Sequence, residues 1–377
     1  MVSYQNIAEL PAPDIAIVGG GIVGLWTAYY AAQSGVRIVL IDQNKLGSGA
    51  SNGLLGALMP HQPINWNNKK QFQLDGLTTL PEEIAKLENL TGISTGYFRC
   101  GRIMPIAHPE KRRQSANWAQ GANAHWSGAY DWRIEDNNPA DKWLSDIGPN
   151  GYNVDTLSAR VNPRALVRAL VKSVKQQENI QIIENTPVKQ LAKSGALTLS
   201  DGQIITPDKT IVTAGYGSFP LLEATIGKIL GTGVKGQAAL LKPVNPINIS
   251  SPILYDNGSY VIAHEDGLVA VGSTSEREYS APDNTDEALD EVIKSATAIC
   301  PALEGAETVE RWAGVRPRAT GRDPMIGAIP ENPNIVVATG GFKITLAIAH
   351  LMARCALSAA AGDSSAIPES FLIEAHL

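Results

Sequence analysis

The chain has 377 residues, enough for two packed domains, because single hydrophobic cores rarely grow beyond about 250 residues. A hydrophobic content of 44% and a charged content of 18% are those of an ordinary globular protein, and a formal net charge of −6 argues against nucleic acid as a partner. The six histidines show no spacing of three or four residues from one another, so no metal site is predicted.

Cysteines and apolar segments bear on the cellular compartment. Cys100, Cys300 and Cys355 are widely separated and form no C-x-x-C pair, which predicts a reducing compartment and no disulfide framework. Residues 1–13 lack the order of a secretory signal, and the apolar run 22–32 is too short to cross a bilayer. The sequence therefore predicts a cytoplasmic protein without an integral membrane segment.

The clearest structural pattern lies in the first fifty residues. Ile15–Val18 is a short apolar run typical of a buried parallel strand, and three glycines, 19–21, end it. Residues 22–34 then predict a helix, and residues 37–41 predict a second strand that ends at Asp42. This order of strand, glycine turn, helix, strand and acid is that of a βαβ unit.

The glycines of this turn match the dinucleotide fingerprint G-x-G-x-x-G. Gly19 permits the tight turn, Gly21 lets a pyrophosphate approach the backbone, and Gly24 packs the helix on the strand. The amino end of the helix offers free N–H groups and a partial positive charge to the phosphates. Asp42 lies where a carboxylate can bind the adenosine ribose hydroxyls. The motif alone does not distinguish FAD from NAD.

Later elements suggest that the chain leaves this sheet and returns to it further along the sequence. A loop-rich stretch at 47–63 and a helix at 72–90 precede a tryptophan-containing region at 97–143, which we assign to a separate domain. Further predictions in chain order are a helix at 162–177, strands at 180–183 and 211–215, hairpins around Asp201-Gly202 and Asp266-Gly267, a helix at 285–298, a final strand at 335–338 and a helix at 346–361. The separated strands imply a discontinuous nucleotide-binding domain with inserted substrate-binding segments.

Five stretches make the assignment more specific. They are residues 17–24 (IVGGGIVG), 49–56 (GASNGLLG), 186–188 (TPV), 234–237 (VKGQ), and 312–317 (WAGVRP) with 323–327 (DPMIG). Together they resemble the D-amino-acid oxidase family of flavoproteins, most closely its glycine oxidase and sarcosine oxidase branch, over nearly the whole chain. The last stretch is the most diagnostic, and the resemblance implies FAD as the cofactor.

The expected fold class is α/β, with a Rossmann-type FAD-binding domain and a second, α+β substrate domain built on an antiparallel sheet. We expect the FAD-binding domain to be discontinuous and to comprise residues 1–65, 150–225 and 310–377. The substrate or cap domain would comprise residues 66–149 and 226–309.

The resemblance also implies which residues contact FAD. The small-residue loop after the second strand should line the pyrophosphate and the isoalloxazine edge, Val188 should offer its backbone to the adenine, and residues 341–347 should pack under the flavin ring. The cofactor-binding candidates are Gly19, Gly21, Ile22, Val23, Gly24, Asp42, Gln43, Gly47, Ser48, Ser51, Asn52, Gly53, Leu54, Val188, Gly215, Gly341, Phe342, Lys343, Ile344, Thr345 and Leu346. The cysteine that links flavin covalently in sarcosine oxidase has no clear counterpart, so noncovalent FAD is expected.

Three residues are catalytic candidates. By resemblance, Arg316 clamps the substrate carboxylate and the hydroxyl of Tyr260 helps to hold it. A planar guanidinium can bind a carboxylate through two hydrogen bonds and so orient the substrate. The alternatives are a structural ion pair for Arg316 and a packing role for Tyr260. Lys343 stands where close relatives with glycine oxidase activity carry arginine, which leaves the substrate open.

Two further arginines, Arg318 and Arg322, stand where a neutral residue or glycine is common in the family. They would favour an acidic substrate if they lined the pocket entrance, and the solvated-surface interpretation is the simpler one. His61 follows the flavin loop, and a surface or core position is the simpler interpretation for it as well.

The favoured function is oxidation of the C–N bond of a small amino acid or amine, of the glycine, sarcosine or D-amino-acid type, by hydride transfer to flavin N5. The imine product would then hydrolyse in water. The alternative is a maturation flavoprotein that modifies a side chain of a partner protein during the biogenesis of a quinone cofactor. A small-molecule substrate is expected in the first case and a protein substrate in the second.

Overall fold

The computed structural model describes residues 12–377. Its seven α-helices are α1 (Ile22–Ala32), α2 (Asn68–Thr91), α3 (Pro109–His125), α4 (Pro163–Lys175), α5 (Ser218–Ile226), α6 (Glu287–Ile299) and α7 (Thr345–Ala360). The strands in the first half are β1 (Ile15–Val18), β2 (Ile38–Ile41), β3 (Ala57–Leu58), β4 (Arg102–Pro105), β5 (Trp132–Glu135), β6 (Tyr152–Asp155), β7 (Ala159–Arg160), β8 (Ile180–Ile183) and β9 (Val188–Leu191). Those in the second half are β10 (Leu197–Leu199), β11 (Ile204–Ile205), β12 (Lys209–Val212), β13 (Gly231–Lys242), β14 (Ile253–Asp256), β15 (Ser259–Ala263), β16 (Val269–Gly272), β17 (Glu307–Ala319), β18 (Met325–Ile329) and β19 (Asn332–Thr339).

A six-stranded sheet in the order β18-β19-β12-β1-β2-β8 carries the predicted βαβ unit. Its strands are parallel except for β18, which pairs antiparallel with β19 at the edge. The predictions that β8, β12 and the final strand rejoin the first sheet are confirmed. Strands β1 and β2 are almost wholly apolar, as expected where both faces of a parallel sheet are covered.

Side chains of β1 alternate between two hydrophobic clusters. Ile17 lies in the cluster formed mainly by α1, α2, α4 and α7, whereas Ala16 and Val18 lie in the cluster that includes α5 and the three-stranded sheet β11-β10-β9. This two-residue alternation is a property of strand geometry, so the sheet is the middle layer of three.

The second sheet has eight strands in the order β17-β13-β16-β15-β14-β4-β6-β5. Its pairs are antiparallel except β14 with β4, which are parallel. Helix α6 packs on one face in a cluster with residues of β15 and β16. On the other face Ala238, Ile262 and Ala270 pack with Leu54 from the loop after β2, which brings this sheet against the nucleotide-binding unit.

Strand pairing departs from the expected domain boundaries at two points. Strand β6 pairs with β4 and β5, and β17 pairs with β13 over almost its entire length. Both strands therefore belong to the eight-stranded sheet, although residues 150–225 and 310–377 were assigned to the FAD-binding domain. Pairing partners depend on contacts distant in sequence, and a family motif in β17 carries no information about them. The division into domains otherwise stays a prediction.

Among the described residues, one segment, Phe342–Ala360, is long and apolar enough to span a membrane by length and composition. This segment is mainly α7, whose residues Ala347, Ile348, Met352 and Ala353 are buried against α1, α2 and the six-stranded sheet. The segment is therefore a core helix in this fold. The cellular location stays a prediction.

A buried histidine in α7 predicts how stability depends on pH. His350 is 1% exposed and its Nε2 lies 2.9 Å from Oγ1 of Thr79. Burial lowers the pKa of His350 to about 4, whereas an unfolded histidine titrates near 6.5. Between these values the unfolded chain binds a proton that the folded chain does not, so stability falls as the pH falls, by up to about 1.4 kcal/mol per pH unit.

We therefore expect the melting temperature to fall less between pH 6.5 and pH 4.5 in His350→Gln than in the unmodified protein. Differential scanning calorimetry at both pH values measures this difference. His108→Gln, at the exposed amino end of α3, is the control and should keep the full pH dependence. Equal losses for His350→Gln and the unmodified protein would contradict the assignment.

Candidate active site

A cavity of about 570 Å³ lies between the two large sheets. One wall is formed by the carboxyl ends of β1, β2, β12 and β19, and the other by residues of β4, β13, β15 and β17. Ligands of open parallel sheets bind at this edge, beyond the carboxyl ends of the strands. The cavity is therefore the candidate site for both cofactor and substrate.

The three glycines of the fingerprint have separable roles. A Cβ on Gly19, whose φ is +104°, would lie 2.4 Å from the Cα of Ala214, and a Cβ on Gly24 would lie 1.9 Å from the carbonyl oxygen of Gly19. Both glycines are therefore required by the fold itself. A Cβ on Gly21 would meet only the Oγ of Ser51, at 3.3 Å. The fold itself therefore does not require the second glycine, which leaves the turn open to the cavity.

The amino end of α1 is open toward this turn. Gly21 is the N-cap and has no side chain, and the first turn of the helix contains no acidic residue. The amide of Ile22 donates to Ser51 Oγ over 2.9 Å, whereas the amides of Val23 and Gly24 have no acceptor among the residues that the structure describes. Free amides at the positive end of a helix dipole bind phosphate, so this helix end fits the pyrophosphate of a dinucleotide.

Asp42 stabilises the same turn from the end of β2. Its Oδ2 accepts a hydrogen bond from the amide of Gly20 over 2.7 Å, and its Oδ1 accepts one from Asn44 over 2.8 Å. Burial raises the pKa of Asp42 while these two amides lower it. Each oxygen keeps a second lone pair and Asp42 lines the cavity, so the carboxylate can also accept from ribose hydroxyls.

Most of the cofactor-binding candidates line one cavity. The residues that do so are Gly19, Gly21, Ile22, Val23, Asp42, Gln43, Ser48, Ser51, Gly53, Leu54, Val188, Gly215, Gly341, Phe342, Lys343, Ile344, Thr345 and Leu346. Together with the open helix end, this arrangement fits FAD with its adenosine near Asp42 and its flavin near the loop before α7. None of Cys100, Cys300 and Cys355 lines the cavity, in keeping with noncovalent binding.

Three candidates, Gly24, Gly47 and Asn52, do not line the cavity, and a role for them in cofactor binding stays a prediction. Gly24 packs α1 on β1, which is the role that the fingerprint gives it. Gly47 has a φ of +76°, and a Cβ there would lie 2.1 Å from Cγ1 of Val167, so it serves packing on α4. The carbonyl of Asn52 accepts from Nε of Arg164 on the outer side of the loop. A glycine-rich loop shows no periodicity, and its inward residues cannot be separated from its outward ones by sequence.

Strand β17 contributes Trp312, Val315, Arg316 and Pro317 to the substrate end of the cavity. Trp312 and Arg316 face the cavity, and Gly314 lies between them on the same face, where a Cβ would be 2.5 Å from the Trp312 ring. On the neighbouring strand, a Cβ on Gly236 would lie 1.8 Å from Nη2 of Arg316. The glycines of the two family motifs therefore make room for one indole and one guanidinium.

Arg316 has no ion-pair partner among the described residues. Its Nη1 and Nη2 lie 3.4 and 3.3 Å from the carbonyl oxygen of Thr274, and the guanidinium lies 5.9 Å from the centre of the Phe342 ring. Burial lowers the pKa of Arg316, yet guanidinium remains charged at neutral pH. Within the described residues, Arg316 therefore does not form the structural ion pair that was its alternative role.

Tyr260 and Lys343 line the same end of the cavity. Burial raises the pKa of Tyr260 to about 12, so its phenol is protonated at neutral pH and can donate a hydrogen bond. The ring also packs 4.9 Å from that of Tyr255, so the packing role and the site role coexist. Desolvation and the charge of Arg316 lower the pKa of Lys343, whose Nζ lies 5.9 Å from the Phe342 ring.

Two residues line the cavity although the sequence did not predict that they would. Arg102, in β4, lines the cavity, and no sequence signal separates it from a surface arginine, because its position depends on the pairing of β4 with β14. His61 also lines the cavity, contrary to the simpler expectation. Arg318 and Arg322 do not line it, which agrees with their solvated interpretation.

The tautomer of His61 follows from its neighbours. Gln73 donates from Nε2 to the carbonyl oxygen of Met59 over 2.8 Å, so its Oε1 faces His61 and accepts from both the amide and Nδ1 of that histidine. Nε2 of His61 is then left with a free lone pair. Burial lowers the pKa of His61 and so favours the neutral ring. The cavity therefore contains a neutral imidazole that can accept a hydrogen bond.

The open end of α1 and Asp42 fit a dinucleotide cofactor, and the chamber beyond them is lined by arginine and lysine side chains. The model of the DAO family of FAD dependent oxidoreductases matches residues 14–355, and the chain belongs to this family.

Curated relatives and solved structures agree with this assignment. The chain is 26% identical to glycine oxidase from Pseudomonas aeruginosa over 348 residues, which cover 90% of this chain and 92% of that protein. It is 27% identical over 352 residues to the bifunctional protein ThiO/ThiG of Synechocystis sp., and it spans about half, 50%, of that longer protein. The structure of glycine oxidase from Geobacillus kaustophilus superposes with a TM-score of 0.88 at 20% identity, covering 97% and 99% of the two chains.

The distinct roles of the glycines lead to a test of cofactor binding. Gly21→Ala should leave the fold intact, since the added methyl meets only Ser51 Oγ, but should obstruct the approach of a diphosphate. Losing one or two charge-assisted hydrogen bonds costs about 1.5–3 kcal/mol each, so the affinity for FAD should fall by at least about tenfold. Flavin fluorescence titration of the apoprotein measures the affinity, and circular dichroism measures the melting temperature.

The matched variant is Gly24→Ala. Its methyl would overlap the carbonyl of Gly19, so it should lower the melting temperature of the apoprotein itself. The assignment of roles is wrong if Gly21→Ala melts early or if it binds FAD normally.

Proposed function

We propose that this protein oxidises the C–N bond of a small amino acid or amine, of the glycine, sarcosine or D-amino-acid type, with noncovalently bound FAD as the oxidant. The observation that carries this proposal is the guanidinium of Arg316. It is half-buried, lines the cavity and has no carboxylate partner within the described chain. A charge in that position is stabilised when a ligand brings the missing anion.

The residues around Arg316 suit a substrate carboxylate in particular. The fork of N–H groups can bind both oxygens of a carboxylate, and the protonated phenol of Tyr260 can donate a further hydrogen bond. Two fixed contacts on one end of an amino acid leave its Cα and nitrogen in a defined orientation. FAD, when bound, supplies the hydride acceptor, and the protein's part is orientation and electrostatics.

A histidine in the lining of the same cavity suits the amine. Hydride loss from carbon requires the neutral amine, because its lone pair stabilises the developing imine. Nε2 of His61 is an unprotonated acceptor that lines the cavity, so it can take a hydrogen bond or a proton from the substrate nitrogen. Buried apolar residues such as Leu54 exclude water from the same space.

The direct test is anaerobic reduction of the purified holoprotein. We expect glycine, sarcosine or a D-amino acid to bleach the visible absorbance of the oxidised flavin. Absence of bleaching with every small amine, together with co-purification of a partner enzyme, would instead support the maturation function on a protein side chain.

A second prediction concerns Arg316. Removing one partner of a buried charge pair costs about 2–5 kcal/mol, so Arg316→Gln should weaken binding of a substrate carboxylate by about 30-fold or more. Stopped-flow flavin reduction over a range of substrate concentrations gives the apparent Kd. Gly236→Ala, which displaces the guanidinium without removing it, should act in the same direction.

Arg318→Gln is the matched control. Arg318 lies on the same strand and its guanidinium is 5.7 Å from the same Phe342 ring, but it does not line the cavity. Its Kd should change by less than about twofold, as is usual for charges outside a buried contact. A weakening as large as that of Arg316→Gln would show that general positive charge, and not a specific clamp, binds the substrate.

A further inference from the structure

Arg102 is a second guanidinium in the cavity and has no part in the function proposed above. It lies in β4, is 5% exposed and lines the cavity together with Arg316 and Tyr260. Its charge is paired with buried Asp155, as a buried charge must be, but this pair leaves part of the guanidinium without a partner.

The hydrogen bonds of Arg102 use only some of the N–H groups of its guanidinium. Nε donates to Oδ2 of Asp155 over 2.7 Å, and Nη1 contacts the sulfur of Met59 at 3.6 Å. Nη2 is buried and has no acceptor anywhere in the part of the chain that the structure describes. An unsatisfied buried donor costs about 1–3 kcal/mol, and more in a charged group.

The surroundings hold this guanidinium in place. It lies 5.3 Å from the centre of the Trp132 ring, and the indole of Trp132 is itself anchored by a hydrogen bond to Asn153. Asp155 is fully buried, and its Oδ1 accepts from the amide of Ser158. Asp155, Met59 and Trp132 thus hold the arginine on three sides, so its unpaired N–H groups cannot turn toward solvent.

The cavity offers these N–H groups no carboxylate of its own. Of the described residues that line the cavity, Asp42 alone is acidic, and it lies at the opposite end beside the glycine turn. At the substrate end the charges of both Arg102 and Arg316 act on the Tyr260 hydroxyl, so the two guanidinium groups flank one chamber. Asp155 does not line the cavity, so an anion that meets Arg102 from the cavity must come from a ligand.

We propose that Arg102 forms a second anion subsite, so that the substrate carries two carboxylates. Arg316 binds the carboxylate next to the reacting carbon, and the guanidinium of Arg102 binds the carboxylate of the side chain or of the nitrogen substituent. The substrate class is therefore a dicarboxylic amino acid or an N-carboxyalkyl glycine. This inference rests on the proposed function for the identity of the first carboxylate.

Ligand binding to the oxidised holoprotein tests the subsite without turnover. The probes are pairs of simple acids of equal carbon number, acetate with oxalate, propionate with malonate, and butyrate with succinate, titrated by the change in flavin absorbance. We expect at least one dicarboxylate to bind at least 10-fold more tightly than its monocarboxylate partner, since each charged contact made in a buried site is worth a tenfold change or more. Equal binding within every pair would overturn the proposal.

Variants test whether the preference for dicarboxylates depends on Arg102. Arg102→Gln keeps a donor for Asp155 and should lose the dicarboxylate preference while monocarboxylate binding stays within twofold. Arg102→Lys keeps the charge and should retain part of the preference, and it serves if the glutamine variant does not fold. Arg318→Gln should change neither. Equal weakening of both acid types, or loss of FAD affinity with the preference intact, would show a structural or cofactor role and overturn the proposal.

The outcomes also separate this inference from the proposed function. A dicarboxylate preference that depends on Arg102, without flavin bleaching by any amine, would sustain the subsite and refute amine oxidation. Bleaching by monocarboxylic amino acids without any such preference would sustain amine oxidation and refute the subsite.

Discussion

The free amides at the amino end of α1 are the interaction on which the rest of the site depends. Gly19 and Gly21 bring the chain from β1 into the helix without a side chain in the way, and Asp42 fixes the turn through the amide of Gly20. Because a helix end of this kind is stabilised by a phosphate, the position of the dinucleotide follows from it. The flavin end, and with it the place where substrate must lie, is then determined by the length of the cofactor.

At the other end of the cavity the governing constraint is charge. Arg316, Lys343 and Arg102 line the chamber, and the only ion pair these three make within the described chain is that of Arg102 with Asp155. Phe342 lies beside two of them, with a φ of +50° that is unusual for an aromatic residue. Backbone strain of this kind is typical of ligand sites, where the surrounding structure maintains it. The chamber therefore suits an anion, and under the proposed function that anion is the carboxylate of an amino acid or a related amine.

How far the sequence could predict these features differs between the two ends. The turn at Gly19 and the acid at Asp42 are local in sequence, so their spacing alone predicts a dinucleotide site. Arg316 could be identified because it lies within the motif of residues 312–317. Arg102 and His61 carry no such motif. The position of Arg102 in the cavity depends on the pairing of β4 with β14 and with β6. His61 lies in an irregular loop whose path is set by contacts with α2.

By itself, the sequence determined the βαβ unit, the cofactor class and the arginine of the family motif, because each depends on residues a few positions apart along one strand or turn. Only the tertiary structure decided which residues share the cavity, that Gly24, Gly47 and Asn52 lie outside it, and that β6 and β17 belong to the second sheet. The physical reason is that pairing between distant strands and the burial of individual side chains arise from packing of the whole chain, and neither has a local periodicity to reveal it.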